Sequence, residues 1–162
     1  MENILLDFQG FNVSGKFYFK EVSFTKINTN VCQTYWFKPP FPFCALTSKD
    51  KKTVTYCERH LHNIKWYSGK ILYKRLLAIL RNHIRNNDRV FVKGHSKVEV
   101  MQKLFPNVLF ENIEDYSCPP VQCIINSADT DCPLPFHQNH LHCSHHRSIL
   151  FAMFMTEHFK NE

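Results

Sequence analysis

Four glycines in 162 residues leave little material for a glycine-rich phosphate loop, and neither a Walker nor a dinucleotide-binding signature occurs. The longest apolar runs fall far short of the roughly 20 residues of a membrane span. The N-terminus has no signal-peptide layout. A common nucleotide-dependent enzyme, a membrane partner and secretion are therefore not expected. Cysteines number seven, an odd count in a chain with no sign of a small stapled fold, so reduced thiols are expected. The expected location is intracellular, cytoplasmic or nuclear.

What the chain has in quantity is apolar bulk and positive charge. Hydrophobic residues make up 44%, and 15 phenylalanines supply large core side chains. That composition fits one folded domain over residues 1–162. The net charge of +6 and the pI near 9.0 suit a polyanionic partner, nucleic acid before membrane. Simple solubility is the alternative reading of the same charge.

The first forty residues read as three neighbouring antiparallel strands: Asn3 to Phe8, Lys16 to Thr25 and Cys32 to Lys38. A proline-containing segment, 39–68, carries the lysine run Lys49, Lys51 and Lys52 and has room for a short helix around Val54 to His62. From Gly69 the spacing of Leu72, Leu76, Ile79 and His83 predicts a helix. Lys70, Lys74, Arg81 and Arg85 then fall within roughly 60° of arc, a basic stripe for phosphate contact or a solvated face. Arg89 to Val92 reads as a central strand, and Ser96-Lys97-Val98-Glu99 has the capping-box pattern at the start of a helix. Asn107 to Phe110 reads as another strand and Ile149 to Phe159 as a last helix. Strands alternating with helices after a meander predict an α/β fold with a mixed sheet.

Five of the ten histidines, His137, His140, His142, His145 and His146, fall within ten residues around Cys143. Imidazole and thiolate are the usual zinc ligands, but the paired Cys-x-x-Cys knuckle of a finger is missing. Cys118, Cys123, Cys132, His137, His140 and Cys143 offer more donors than one tetrahedral site needs. The alternative is a histidine-rich loop with cysteines buried as small hydrophobes. A zinc ion here would also pin a segment, 117–142, that carries four prolines and little periodicity. Among acids, Asp7 ends the first strand, where a two-metal hydrolase would place a carboxylate for magnesium or manganese. The next-but-one residue is the neutral Gln9. Glu21 is an acid in an apolar-aromatic run, open to a metal, a lysine or solvent.

Leu5-Leu6-Asp7-Phe8-Gln9-Gly10-Phe11 resembles the first motif of the DEDD-type exonucleases, which have the ribonuclease H-like fold. Val90-Phe91-Val92-Lys93-Gly94 resembles their second-motif region. His142-Cys143-Ser144-His145-His146-Arg147 resembles their last motif, with Arg147 where the final acid belongs. Closer still is the resemblance to the Maelstrom domain, a ribonuclease H-like relative that has lost those acids and binds zinc through a Glu-Cys-His-Cys set. Lys20-Glu21-Val22 is similar to the motif bearing its glutamate, and Cys143-Ser144 to the motif bearing its final cysteine. The resemblance implies a zinc site from Glu21, Cys118 or Cys132, His137 or His140, and Cys143.

The expected function is a zinc-stabilised, ribonuclease H-like domain that binds RNA or single strands without two-metal chemistry. Lys70, Lys74, Arg81, Arg85, Lys93 and Lys97 are the expected phosphate contacts, and Tyr35, Trp36 or Trp66 the candidate stacking rings. One alternative is an active nuclease that uses Asp7, with Glu21 or with Glu114 and Asp115, and needs Mg2+ or Mn2+. The other is a protein-interaction module on the same fold.

Overall fold

The computed structural model describes residues 1–125 and 142–161. Two long strands, β1 (Asn3–Val13) and β2 (Lys16–Lys26), form a hairpin. Its two-residue turn, Ser14 and Gly15, takes positive φ at both positions (49° and 79°). Such a turn matches the right-handed twist of the strands it joins. Asp50 holds Ser14 in that conformation, accepting from its backbone N (3.2 Å) and from its Oγ (2.6 Å).

The third strand, β3 (Val31–Trp36), pairs antiparallel with β2. On the other side of β1, β4 (Arg89–Val92) and then β5 (Phe110–Asn112) pair in parallel, so the order is β3-β2-β1-β4-β5. The described residues also form five α-helices: α1 (Ser48–His60), α2 (Leu76–His83), α3 (His95–Leu104), the short α4 (Val121–Ile125) and α5 (Ser144–Lys160). The expected α/β architecture, an antiparallel meander extended by parallel strands and flanked by helices, is what is found.

Successive residues of a strand project to opposite faces. Ile4, Leu6, Phe8, Val22, Phe24, Val90 and Val92 form one face, packed against Leu76, Ile79 and Leu80 of α2 and Met101 of α3. On the opposite face, Leu5 and Phe91 pack against Leu150, Phe151, Ala152 and Met155 of α5. Beyond a register shift at Gln9/Gly10, Phe11 and Val13 join Val54 of α1 and Trp66 in a separate cluster. Glycine is required at that shift, because a Cβ on Gly10 would run into the Tyr18 carbonyl.

Several boundaries differ from expectation. The helix predicted from Gly69 starts only at Leu76, after a 3-10 turn at Tyr73–Arg75, and stops at His83. The chain ahead of it is extended: the N–H groups of Lys70 and Ile71 both bond the Trp36 carbonyl (3.2 and 2.8 Å), and Lys38 N–H bonds the Ile71 carbonyl (2.8 Å). Tertiary pairing there overrides a helical spacing. The capping box at Ser96 does not form. Instead α3 opens at Gly94, with φ 99° and no side-chain cap, where the backbone N–H bonds Asn112 Oδ1 at 3.0 Å. The last helix begins five residues earlier than predicted, at Ser144 against Ile149. Among the described residues no helix is long and apolar enough to cross a membrane. Among the described residues no two cysteines are joined by a disulfide.

Candidate functional site

Strand register assembles a polar strip under α5. Asp7 lies opposite Ser23 and Ser23 opposite Thr34; Thr25 lies opposite Cys32, and Glu21 opposite Trp36. Opposed residues share a face, so these side chains project together beneath the helix. Asp7, Glu21, Ser23 and Thr25 are all fully buried. Buried polar groups must find partners or cost free energy, and α5 supplies them. Its N-terminal turns carry Ser144, Arg147 and Ser148, three and four residues apart on one helical face.

Asp7 meets two cations. Lys97 Nζ bonds Oδ1 at 2.5 Å, and Arg147 Nε bonds Oδ2 at 3.0 Å. Lys97 also donates to the Phe8 carbonyl at 2.6 Å. Burial lowers the Lys97 pKa from its ordinary value against the pull of Asp7, and Arg147 adds to the lowering. His142, next to this group, is pushed down by its own burial and then by Arg147 and Lys97. Both oxygens of Asp7 are thus taken by protein cations, and its strand neighbour two residues on is Gln9. A divalent ion at Asp7 would sit beside two fixed positive charges, so this donor set does not fit magnesium or manganese.

Glu21 Oε1 accepts from Ser144 N–H at 2.7 Å and from Ser144 Oγ–H. Those bonds bring Glu21 next to Cys143, which is itself buried and caps α5 by accepting from His146 N–H (3.4 Å). Cys118 lies in the apolar cluster with Val121 and Phe151, and burial pushes its thiol up to about 11, with Lys93 opposing. Among the described residues no three His, Cys, Asp or Glu side chains gather where a metal ion would be held, so Glu21, Cys118 and Cys143 do not form such a centre by themselves. Cys132, His137 and His140 lie outside the described residues.

The six expected phosphate contacts divide into two groups. Lys97 is committed to Asp7, and Lys93 donates to the Cys118 carbonyl (3.0 Å) and faces Glu114 (3.7 Å). Lys70, Lys74, Arg81 and Arg85 are exposed. They do not make one helical stripe, because only Arg81 lies within α2. Lys70 stands over the Trp36 ring at 5.6 Å. Of the candidate stacking rings, Trp66 is core, its Nε1 donating to the Phe41 carbonyl at 3.1 Å. Tyr35 bonds Gln33 and His83, at 3.1 and 2.8 Å.

Two features escaped the sequence reading. One is an open cleft of about 420 Å³ on α1, lined by Phe43, Lys51, Lys52, Tyr56, Arg59 and His60. Lys52, Tyr56 and Arg59 follow helical spacing and are exposed, and Lys51 stands 6.0 Å over the Phe43 ring. The lysine run was the available signal, but without the helix it had no face. The other is the Cys32–His145 pair, 3.4 Å apart between β3 and α5. Nothing in the spacing of residues 113 apart announces it.

Compared with protein-family models, with curated proteins and with solved structures, the chain matches none.

Proposed function

We infer that this is a non-catalytic nucleic-acid-binding domain on a ribonuclease H-like sheet, with RNA or single strands as its ligand. The observation that carries the reading is how the cations are divided. Those beside the buried acid are spent inside the molecule: Lys97 and Arg147 neutralise Asp7. Lys52, Arg59, Lys70, Lys74, Arg81 and Arg85 remain exposed, several beside aromatic rings. Cations alternating with rings suit a sugar-phosphate backbone and unstacked bases. The strand order, with the meander joined in parallel to β4 and β5, supports the ribonuclease H-like reading. The loss of acids at Gln9 and Arg147 supports kinship with the Maelstrom domain.

Zinc belongs to this reading as a structural clip rather than a reagent. Support for it is the approach of Glu21 to the Cys143–Ser144 start of α5. Metal analysis of purified protein with its Cys143→Ser variant tests it, with stoichiometric zinc lost in the variant as the expected result.

The binding reading is tested by fluorescence anisotropy with labelled single-stranded RNA and DNA at rising salt, and by incubating the same strands with magnesium, manganese or EDTA. Expected are affinity that falls steeply with salt and strands that stay intact. Metal-dependent cleavage abolished by Asp7→Asn would overturn the non-catalytic reading in favour of an active nuclease. Binding that is absent or indifferent to salt would point to a protein-interaction module instead.

A further inference from the structure

A cavity of about 240 Å³ lies between the C-terminal end of α2 and the sheet face on which that helix packs. Strand register builds its floor. Ile4 lies opposite Lys26 and Lys26 opposite Val31, while Phe24 lies opposite Gln33 in the next row. Ile4 and Phe24 are buried and Val31 is exposed, so apolar surface continues from the core out to solvent. The walls are polar and held in place. Asp88 accepts from the backbone N–H of Glu2 and of Arg85, each at 3.0 Å, which ties two sides of the mouth together. Lys26 donates to Glu2 at 2.8 Å in an exposed pair. Tyr35 gives its one hydrogen to Gln33 Oε1 (3.1 Å), so His83 Nε2, 2.8 Å away, donates to Tyr35. That fixes the Gln33 amide with its Nε2 left to donate to a bound molecule. The His83 ring stacks on Phe24 with centroids 4.2 Å apart, and burial followed by Lys26 pushes its pKa down, so it is neutral at neutral pH.

We propose that this cavity takes a single unstacked nucleotide, its base on the floor of Ile4, Phe24 and Val31 and its phosphate on Arg85. The assignment rests on the nucleic-acid-binding reading and names the unit bound at one end of it. An apolar floor suits the face of a base, the amides of Gln33 and Asn82 suit an edge of carbonyls and ring nitrogens, and a guanidinium suits a phosphate. A nucleotide carries all three. Glu2 is the one acid lining the cavity. It accepts from a base N–H and repels the phosphate, which therefore sits on the Arg85 side. Lys26, paired only at the surface, adds positive charge at the same mouth. At about 240 Å³ the cavity is smaller than the roughly 300–1,000 Å³ of drug-sized sites, so it admits one nucleotide and not a stacked pair.

The test titrates the full chain with uridine monophosphate, uridine and inorganic phosphate, read by calorimetry and by backbone amide NMR shifts. Uridine monophosphate should shift Val31, Gln33 and residues 82–85, with uridine about tenfold weaker and inorganic phosphate weaker still. Arg85→Gln should bring uridine monophosphate down to the affinity of uridine and leave uridine unchanged. Val31→Glu, at an exposed position, should abolish binding of both. Uridine monophosphate that shifts none of these residues, or binds no more tightly than inorganic phosphate, would overturn the proposal. So would unaltered affinity in folded Arg85→Gln. Labelled single-stranded RNA separates this proposal from the reading it rests on. RNA bound by the unaltered protein and weakened several-fold by Val31→Glu supports both. RNA bound equally by Val31→Glu, with no response to uridine monophosphate, removes the cavity and keeps strand binding. Uridine monophosphate bound without RNA keeps the cavity, as a site for free nucleotides, and removes strand binding.

Discussion

The two faces of this sheet solve burial in opposite ways. Toward α2 and α3, strand residues such as Leu6, Val22, Phe24 and Val92 are apolar and need only be packed. Toward α5, the same strands bury Asp7, Glu21, Ser23 and Thr25, each with a partner on the helix or on the next strand. The first face tolerates any well-filled volume. The second holds only if every donor meets its acceptor, because a half-satisfied buried network is worse than an apolar one. A face that demanding fixes one placement of α5 over the sheet.

The largest effect that would break this contrast is Asp7→Ala. It leaves Lys97 and Arg147, half-buried around that site, without their buried counter-charge, and removing one partner of a buried ion pair costs about 3–5 kcal/mol. Urea denaturation checks it. Replacing Asp7 and Lys97 together by Leu and Met should recover part of that loss. If Asp7→Ala costs under about 1 kcal/mol, a value typical of surface pairs, the pair is not the anchor described.

Lys20 is the exception on the apolar face, and a second prediction sharpens the comparison there. It is 1% exposed, and its Nζ donates to the carbonyls of Phe37 (2.7 Å), Trp66 (2.8 Å) and Ser68, tying β2 to the segment that follows β3. Lys20→Met leaves three carbonyls without their donor, a loss on the order of 3 kcal/mol. Burial pushes the Lys20 pKa down from 10.5 to about 7, with Glu58 opposing. Between those values the unfolded chain holds a proton that the folded chain has released. Stability therefore rises as pH goes from about 7 toward 10.5, by up to about 1.4 kcal/mol per unit from this group. Below about 7 both states are protonated and the full cost of the buried charge is present. Lys20→Met lacks this group and so lacks the rise: the difference in denaturation midpoint between it and the more stable unaltered protein should widen as pH goes from about 7 toward 10.5.

Smaller again is Ser144→Ala. It takes one hydrogen bond from Glu21 and one acceptor from Ser23 but keeps the backbone donor, so about 1–2 kcal/mol is expected by the same denaturation. Phe8→Ala on the other face should exceed it, at about 3–5 kcal/mol, although it removes no hydrogen bond.

The two faces were also unequally legible. Apolar β4 could be read as Arg89 to Val92 from its run alone, and its bounds match. Glu21 stood out in the sequence as an acid among aromatics, but whether it served a metal, a lysine or solvent was open. Its bonds to Ser144, 123 residues away, follow from the fold and from no local pattern. The same holds for Asp7, whose partners lie 90 and 140 residues along the chain. In the sequence Lys97 reads as one of the phosphate contacts, beside Lys93 and the basic stripe. Topology instead turns it inward. The helical spacing of Leu72 to His83 misled for a related reason: Lys70 and Ile71 pair with Trp36, and backbone bonds to a strand outweigh a weak local propensity.

Least disruptive to the fold, and most informative about function, are substitutions on α1. Lys52 and Arg59 touch neither sheet face and are exposed, so Lys52→Ala and Arg59→Ala should each change stability by no more than about 0.5 kcal/mol. If the cleft they line with Tyr56 meets phosphates, each should weaken single-strand RNA binding and lower the salt slope by about one. Tyr56→Ala should weaken binding with no change in slope, because a stacked ring displaces no counterion. The opposite pattern is equally specific. Slopes unchanged by Lys52→Ala and Arg59→Ala, but reduced by Lys74→Ala and Arg81→Ala, would move the contact surface to the α2 side. The division between buried and exposed cations would then stand, with a different set of exposed ones meeting the ligand.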